Sequence, residues 1–578
     1  MKKNTVKLIA IPYFSILCLV SFVLFTALKS EAATINVSSI SDLKTALKNS
    51  RSGDVIVLAD GTYFDTTLDI DKNNITVKSA TPGGVFFNGT NDININGNFI
   101  VFSGFQFTSG DIGSNIVIEV YGNNNLLTQL NFSGYFAKKY IEIKAGTRYN
   151  QISYSNIEKK PAAAIIGCTI QISTSPTVPG YHKIRYCSFK DFDGLGGDYG
   201  NEPIRIGLGA EYLNVSKTIV ENCYFNNTGL GDSESVSIKC QENVIRFCTF
   251  TNQQNAMLVF RNGDNNVAYS NFFINAGGIR VKEANTIFCY NNYFENSIDA
   301  ISYDYVAPLV PPTVLSPRTS NLDNINFIHN TFYNCENIDL GGIGPVNNTW
   351  ANNIFFKTSG SIFLNPNTGT TWIGNIRQGS LGISIPSGIT NSNPLLVTNA
   401  DGYKVLSASS PAIDASSPGY PAILDIADID DDPNILFTIS GKSRPTAISL
   451  KDVGCDEFTT GVTTNHPLDV TEVGPSYMDH SSLSLYSHQS SILDSIKIFP
   501  NQTHTSITVD ASTLNENLVE IVIFNLNGQK VFFEKINKSL LANKQPYQFD
   551  VSNLNKGIYF VTVVSETTSK TIKMILNK

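Results

Sequence analysis

Charged residues, tryptophan and methionine are scarce in this chain. Only 16% of its 578 residues are charged, and it contains 2 tryptophans and 4 methionines. Acidic residues outnumber basic ones by 49 to 41, so the chain lacks the basic surplus that is typical of nucleic-acid-binding proteins. We therefore predict no nucleic acid partner, and an anionic ligand would have to bind at a local basic patch.

Cysteine patterns that are typical of metal or redox sites are also lacking. The nine cysteines include no CxxC pair and no spacing to histidine that is typical of zinc. Cys18 lies in an N-terminal apolar run, and the other eight cysteines are scattered through the chain. We predict buried thiols for these eight rather than a disulfide network.

Long apolar runs are limited to the N-terminus. The run "LIAIPYFSILCLVSFVLFTAL" follows Lys2, Lys3 and Lys7 and precedes the small residues of "SEAA". This order is typical of a secretion signal and predicts a signal peptide over residues 1–33, cleaved near Ala33. Cleavage would leave no stable membrane span. The run is long enough for an uncleaved membrane anchor, which is the alternative.

A short unit recurs through the first two thirds of the chain. In most copies, Asn, Cys or a small residue stands two positions before an apolar residue. The units end at Phe107, Phe132, Ile157, Phe189, Phe225, Phe250, Phe273, Phe294, Phe332 and Phe355. Most intervals are 21–25 residues, which indicates a solenoid. Three longer intervals, of 32, 36 and 38 residues, predict loops that wall a groove.

The segments between the units are short, rich in Ile, Val, Tyr and Phe, and broken by Asn and Gly, which favours strands. We predict an all-β protein with a right-handed parallel β-helix over residues 34–458, in which Phe stacks on Phe inside and Asn stacks on Asn at a turn. Cys187, Cys223 and Cys248 occupy the turn position of this Asn ladder. The segment "DLKTALKN" has helical spacing and would cap the first coil.

The C-terminal part has a different pattern. Residues 459–491 show little apolar periodicity and read as a linker. Alternating strands with Asn-Gly and Lys-Gly turns then predict a small β-sandwich over residues 492–578.

The segments "IFPNQ", "IFNLNGQKV", "LNKGIYFVTV" and "KTIKMIL" of this sandwich resemble the C-terminal sorting domain of the type IX secretion system of Bacteroidetes. The resemblance implies the type IX machinery as a partner. It also implies export through the periplasm and outer membrane to the cell surface or the medium. An ordinary carbohydrate-binding sandwich is the alternative.

Three charges fall close together in "GDSESVSIKC". Asp232 and Glu234 have the same parity on a strand, so both would point to one face and could share a hard cation such as Ca²⁺. Lys239 has the opposite parity and can join them only where the chain bends or bulges. Arg261 follows Lys239 by 22 residues, one repeat period, and should lie beside it on the next coil.

Further charges recur on neighbouring coils. The segment "GNEPIRIG" carries Asn201, Glu202 and Arg205 one coil earlier, and "GGIRV" carries Arg280 one coil after Arg261. The charges therefore collect on one side of four consecutive coils. A solvated face with salt bridges is the plain alternative.

This set of residues suits β-elimination on a uronate polysaccharide. A divalent cation can neutralise the carboxylate of the sugar, a lysine can remove the C5 proton, and an arginine can assist departure of O4. The histidines of the repeat region, His182 and His329, are far from the cluster in sequence, which argues against a histidine base.

The segments "NEPIRIG", "GDSESVSIKC" and "RNG" resemble the linked motifs of polysaccharide lyase family 6, which contains alginate lyases and chondroitinase B. The resemblance covers roughly residues 34–458 and implies a Ca²⁺-dependent lyase. Carried over by position, it implies Asn201, Asp232 and Glu234 as Ca²⁺ ligands, Lys239 as the base and Arg261 as the acid.

Two residues depart from the family pattern. Asp232 stands where Glu is usual, and Asn262 stands where a histidine is expected to bind the uronate. Substrate binding is assigned to Arg205, Asn262 and Arg280. The "GGIRV" segment looks more like the alginate-acting members, so we predict alginate as the anionic polysaccharide substrate. A dermatan sulfate or chondroitin lyase, and a surface β-helix that binds polysaccharide without cleaving it, are the alternatives.

Overall fold

The computed structural model divides the chain into two compact units, and the boundary in the sequence lies between Met478 and Asp479. In the first unit it describes residues 32–478, except 163–166, 195–196, 198–199, 254–255, 305–321, 343, 430–434 and 460–462. In the second it describes residues 497–499, 502–503, 505–510, 518–525, 530–537, 547–565 and 569–576. Nearly all of the predicted signal peptide, residues 1–31, lies outside the described residues.

The first unit is built from three long parallel sheets, and each coil gives one strand to each sheet in turn. Sheet 1 has 14 strands: Thr34–Val37, Val55–Leu58, Thr76–Ser79, Val101–Ser103, Leu126–Thr128, Gln151–Ser153, Lys183–Arg185, Ile219–Glu221, Val244–Arg246, Asn266–Tyr269, Ile287–Tyr290, Ile325–Ile328, Asn348–Ala351 and Thr370–Ile373. Sheet 2 also has 14: Gly61–Phe64, Val85–Gly89, Phe105–Gly110, Asn131–Ser133, Asn156–Glu158, Ser188–Lys190, Tyr224–Asn226, Thr249–Thr251, Phe272–Ile274, Tyr293–Glu295, Thr331–Tyr333, Ile354–Ser361, Asn375–Ser380 and Ile389–Asn391.

Sheet 3 has 12 strands: Thr67–Ile70, Asp92–Ile95, Ile116–Val120, Lys139–Ile143, Gly167–Ile172, Asn201–Ile206, Glu234–Ile238, Met257–Arg261, Ile279–Lys282, Ile301–Asp304, Ile338–Asp339 and Phe363–Leu364. The predicted right-handed parallel β-helix is confirmed.

One α-helix, Ile40–Asn49, occurs among the described residues, at the position predicted for the cap. Its N-cap is Ser39, whose side-chain oxygen accepts a hydrogen bond from the Asp42 backbone amide at 3.0 Å. Leu43 and Leu47 are buried against the first coils. Within the described residues, no helix is both long and apolar enough to cross a membrane.

The interior is filled by the predicted phenylalanine stack. Rings on successive coils lie nearly parallel, with centroids 4.6 Å apart for Phe225 and Phe250 and 4.8 Å apart for Phe250 and Phe273. Parallel strands in register repeat at this same spacing, so identical residues one coil apart must stack. The 21–25-residue repeat in the sequence is therefore the length of one coil.

The predicted Asn ladder lines a turn inside the coils. The Asn271 backbone amide donates to Oδ1 of Asn292 at 3.1 Å, and the Asn292 amide donates to Oδ1 of Asn330 at 2.9 Å. Cys248 continues the ladder, because its backbone amide donates to Oδ1 of Asn271 at 3.0 Å. The eight cysteines after Cys18 are all buried free thiols, as predicted.

Sheets 1 and 2 are covered on the outside by the less regular segment after residue 395. Ile426, Ile429 and Ile435 pack on apolar side chains of sheet 1. An antiparallel pair, Leu396–Thr398 with Lys404–Leu406, and two 3₁₀ turns, Ile448–Leu450 and Val470–Glu472, belong to this C-terminal portion of the unit. Leu406 packs beside sheet 2.

Residues 463–478, which the sequence assigns to the linker, lie along the β-helix, and we call this segment the strap. The Leu468 amide donates to Thr249 Oγ1 at 2.8 Å, and the Ser476 amide donates to Gln129 Oε1 at 2.7 Å. The strap is held by hydrogen bonds from its backbone and from side chains such as Asn465 and Tyr477, and such bonds need no apolar periodicity in the sequence.

The second unit is a small β-sandwich, as predicted. A three-stranded antiparallel sheet consists of Lys497–Phe499, Ser506–Asp510 and Tyr547–Asp550. A five-stranded sheet consists of Gln502–Thr503, Ser569–Leu576, Gly557–Ser565, Leu518–Asn525 and Lys530–Asn537. Side chains of both sheets, including Ile507, Ile521 and Val561, share one apolar core.

Candidate active site

The candidate site lies on the outer face of sheet 3. In the strand Glu234–Ile238, Val236 and Ile238 point into the core, so the alternating residues face outward. A register shift between Glu234 and Val236 places Glu234 opposite Met257 and Val236 opposite Leu258. This bulge inserts one extra residue and brings Glu234 to the face that also carries Lys239. The irregularity that the sequence required is therefore present.

Three buried carboxylates converge at the start of these strands. Glu202, Asp232 and Glu234 each offer a carboxylate oxygen, and the three oxygens lie within 4.8 Å of one another. All three residues are at most 4% exposed. Three acidic groups this close repel one another strongly when ionised and out of water. The cluster is therefore unstable without positive charge nearby.

Asp232 is held by the backbone. Its two carboxylate oxygens accept hydrogen bonds from the amides of Gly200, at 2.6 Å, and Glu234, at 2.9 Å. Burial, together with the charges of Glu202 and Glu234, nevertheless raises the pKa of Asp232 well above its usual range. The backbone thus fixes the position of a carboxylate whose ionised form needs a cation.

Glu234 is bound by two arginines from the next two strands. Arg261 Nη1 and Arg280 Nη2 donate to the same oxygen, Oε1, at 2.9 and 2.7 Å. Burial alone would raise the pKa of Glu234, but the charges of Arg261, Lys239 and Arg280 outweigh it and lower that pKa. Glu234 is therefore ionised at neutral pH.

Lys239 directly follows Ile238, which is paired with Phe260, so Lys239 lies beside Arg261 as the 22-residue offset predicts. Its Nζ is 3.8 Å from Glu202 Oε1, and Arg205 Nη1 is 3.6 Å from the same oxygen. The Lys239 and Arg261 side chains are 12% and 18% exposed, so both reach the surface. A lysine and an arginine thus stand side by side at the edge of the acidic cluster.

Buried oxygens of this cluster have no hydrogen bond to the described part of the chain. They are Oε2 of Glu202 and Oε2 of Glu234, and Oδ1 of the adjacent Asn201 is in the same condition. Buried polar atoms are ordinarily paired, so such atoms need an explanation. A set of carboxylate and amide oxygens is the ligand set that Ca²⁺ prefers. The residues present therefore fit a hard divalent cation.

Two sequence assignments need qualification. Asn201 donates its side-chain amide to the Pro161 carbonyl at 3.2 Å, while its neighbour Glu202 supplies the third carboxylate of the cluster. Asn262 is 1% exposed and donates to Glu283 Oε2 at 2.8 Å, so it is turned away from solvent. A direct contact between Asn262 and substrate does not fit this position.

Arg205 and Arg280 lie on the outer face of sheet 3. Both occupy one row of sheet 3, through the pairs Arg205 with Ser237, Ser237 with Val259, and Val259 with Arg280. Arg205 Nε also donates to Gln171 Oε1 at 2.9 Å. Sequence reasoning did not assign roles to Gln171 or Glu283, because only the folded register brings them beside the site. For Glu202, the signal was its position within the charged "GNEPIRIG" segment.

Residues 37–346, more than half of the chain, match the family model described as chondroitinase B. The chain belongs to the chondroitinase B family. No curated protein sequence matches it.

Among solved structures, the PL6 family alginate lyase AlyGC superposes with a TM-score of 0.62 at 21% identity. That match covers 77% of this chain and 59% of AlyGC, so the chain spans only part of the length of that enzyme. A PL6 family polysaccharide lyase from Pseudopedobacter saltans gives a TM-score of 0.52 at 19% identity, over 77% of this chain and 100% of that one. A mannuronic acid specific family 6 lyase from human gut microbiota gives 0.50 at 21% identity, over 62% and 90%. These likenesses confirm the β-helix fold.

The second unit also has a family match. Residues 497–577 match the model described as the secretion system C-terminal sorting domain. This domain indicates type IX secretion, typical of Bacteroidetes, to the cell surface or the extracellular space. The prediction made from "IFPNQ" and "LNKGIYFVTV" is confirmed.

Proposed function

We propose that this protein is a secreted polysaccharide lyase that cleaves a uronate polymer, alginate in the first place, by Ca²⁺-assisted β-elimination. The observation that carries the proposal is the position of Lys239 and Arg261. They lie side by side on adjacent strands, at the edge of a buried carboxylate cluster that has unpaired oxygens. Family membership supports the same reaction class.

Glu202, Asp232 and Glu234 would hold the cation, with Asn201 as a further oxygen donor. When bound, a divalent cation would neutralise the carboxylate of the substrate and so make its C5 proton more acidic. An oxygen-only ligand set favours Ca²⁺ over zinc or copper.

Lys239, in its uncharged form, would accept the C5 proton. The electron pair of the broken C5–H bond would form the C4–C5 double bond as the bond from C4 to O4 breaks. Arg261 would stabilise the negative charge that develops on O4 and, as the acid, relay a proton from water to it. Glu234 positions Arg261 for this role through the 2.9 Å hydrogen bond. Arg205 and Arg280 would bind substrate carboxylates.

Alginate is favoured by the similar structures, which include alginate lyases and a mannuronic acid specific enzyme. The name of the family model, chondroitinase B, makes dermatan sulfate the second candidate. Both polymers carry a uronate carboxylate next to the carbon that loses its proton, so one site could serve either.

The unsaturated product absorbs in the ultraviolet, which gives a direct test. The full chain would be incubated with mannuronate-rich alginate, guluronate-rich alginate and dermatan sulfate, with Ca²⁺ or with a chelator. We expect absorbance to rise on an alginate with Ca²⁺ and to stay flat with the Lys239→Ala variant. A rise on dermatan sulfate alone would make dermatan sulfate, rather than alginate, the substrate. No rise on any polymer, from protein that is folded, would overturn the lyase proposal.

A further inference from the structure

The outer face of sheet 3 carries a straight row of charges that continues past the proposed catalytic pair. Arg261 is paired in register with Lys282, and Lys282 is paired with Asp304. Since Lys239 precedes Arg261 in the same row, the order along the β-helix is Lys, Arg, Lys, Asp. Successive members are one strand apart, about 4.8 Å. Three cations are thus followed by one carboxylate.

In the other direction the next two positions of the row carry no charge. The positions before Lys239 are Gly207 and Ser173, each of which follows a paired isoleucine of its strand. The next is Lys144, whose ammonium group forms ion pairs with both Glu119 and Glu142. The continuous cationic stretch of this row therefore runs from Lys239 to Lys282.

Lys282 is placed to bind something besides Asp304. Its Nζ is 3.3 Å from Asp304 Oδ2, and the two side chains are 19% and 33% exposed. An ion pair with this much solvent contact contributes little to stability. A carboxylate of a ligand can therefore compete with Asp304 for the ammonium group. In the proposed reaction, Lys282 has no role in proton removal or in charge stabilisation at O4.

We propose that Lys282 is a carboxylate-binding subsite for the sugar next to the one that loses its proton, and that Asp304 ends the groove for a polyanion. The proposal rests on the proposed function, since it places the reacting sugar at Lys239 and Arg261. One sugar of an extended polymer is about as long as the strand spacing, so successive carboxylates can meet successive strands. Asp304 then repels the carboxylate that would come next.

Removal of the subsite should weaken substrate binding more than chemistry. We expect Lys282→Met to raise KM for the polymer roughly 3- to 10-fold while kcat changes less than 2-fold. Lys282→Arg should retain a KM near that of the unmodified protein. Asp304→Asn should lower KM a few-fold. Because the effect is electrostatic, the difference between Lys282→Met and the unmodified protein should shrink as sodium chloride is added.

Lys190→Met is the matched control. Lys190 lies on sheet 2 and is 20% exposed, close to the 19% of Lys282. It also forms a single ion pair, with Glu158 at 3.0 Å. Both variants thus lose a partly buried lysine and its ion pair, but only Lys282 lies in the charged row of sheet 3.

Binding measured in the Lys239→Ala background separates this inference from the lyase proposal. Retardation of the protein in native gels that contain polymannuronate or polyguluronate would report affinity without turnover. We expect Lys282→Met to reduce retardation and Lys190→Met to leave it unchanged. Equal behaviour of the two variants, in KM and in retardation, would overturn the subsite even if the unmodified protein forms unsaturated product. If retardation depends on Lys282 but the unmodified protein forms no product, only the lyase proposal is overturned. If there is neither retardation nor product, the lyase proposal and the subsite are both overturned.

Discussion

One buried carboxylate and one cluster of three buried carboxylates lie on neighbouring coils and differ in how completely their oxygens are paired. Glu221 ends a strand of sheet 1, and both of its oxygens are paired. Arg246 Nε and Nη2 donate to Oε2 at 2.9 and 2.7 Å, and Arg185 Nε lies 3.2 Å from Oε1. In the cluster of Glu202, Asp232 and Glu234 on sheet 3, two buried oxygens have no partner among the described residues.

The pKa values of Glu221 and Asp232 shift in opposite directions. Burial alone would raise the pKa of Glu221, but the charges of Arg246 and Arg185 outweigh it and lower that pKa. The pKa of Asp232 is instead raised by burial and by its two acidic neighbours. The first arrangement stabilises the fold, whereas the second leaves one oxygen of Glu202 and one of Glu234 without a hydrogen bond from the described residues. That difference supports the proposal that the cluster is a binding site rather than part of the scaffold.

The largest expected effect separates catalysis from stability. Lys239→Ala should lower kcat by about 10²- to 10⁴-fold, because a general base is lost. Among the described residues its ion pair is with Glu202, at the long distance of 3.8 Å. Loss of this weak contact should leave the thermal midpoint nearly constant. Initial rates of ultraviolet absorbance and a thermal melt would check this. A lower melting temperature with an equal loss of rate would instead make Lys239 a structural residue.

The converse variant is Arg246→Met. It leaves the buried Glu221 short of its main partner, which should cost about 3–5 kcal/mol of unfolding free energy. The two tryptophans of the chain, Trp350 and Trp372, both lie in the β-helix, so tryptophan fluorescence reports the unfolding of this unit. We expect kcat of the folded protein to be retained. A large loss of kcat without loss of stability would contradict the comparison.

Cation binding should stabilise the cluster and leave the ion pair of Glu221 unaffected. At a Ca²⁺ concentration of about 100 times Kd, we expect roughly 2.7 kcal/mol of added stability, measured without substrate as a rise in the thermal midpoint. Asp232→Asn should lose this rise.

Glu142→Gln is the control for that experiment, because Glu142 is also a buried carboxylate of sheet 3 but is fully paired with Lys139, Lys144 and Ser173. It should keep the Ca²⁺ response. An equal response in Asp232→Asn and Glu142→Gln would place the cation elsewhere.

The smallest effect is a pH dependence of the scaffold pair. Against the effect of burial, the arginines beside Glu221 hold its pKa in the folded protein below the ordinary value of 4.5. The pair therefore stabilises the protein fully above about pH 4.5 and loses this contribution as the pH falls toward the folded pKa. Thermal midpoints between pH 6 and pH 3 should fall less steeply for Glu221→Gln than for the unmodified chain. Parallel curves would show that Glu221 does not contribute.

The fold was largely predictable because a β-helix repeats its contacts. Each coil places a Phe on a Phe and an Asn on an Asn, so the coil length appears directly in the sequence as the 21–25-residue period. The same period predicts that Lys239 lies beside Arg261. It does not predict that Arg261 pairs with Lys282 rather than Arg280, because each turn can add or remove residues.

The site was less predictable because it depends on irregular features. The bulge at Glu234 reverses the parity that alternation would give, and no single residue type announces it. Glu202 joins the cluster and Asn262 turns to Glu283 for reasons of local backbone geometry. At Asn262 the backbone has φ of 71°, a left-handed conformation that asparagine tolerates well. The contact between the strap and the β-helix was not predicted, because hydrogen bonds from isolated residues leave no periodic pattern in the sequence.

The strap also has a consequence for the order in which the molecule is completed. Ser476 binds Gln129, 347 residues earlier in the chain, and the ring of Tyr477 lies against Gly83, where an added side-chain carbon would be 2.4 Å from it. In a chain made from its N-terminus, the residues of the first coils therefore exist long before the residues that will cover them. These contacts are among the last that the unit can make, and such distant contacts are slow to form.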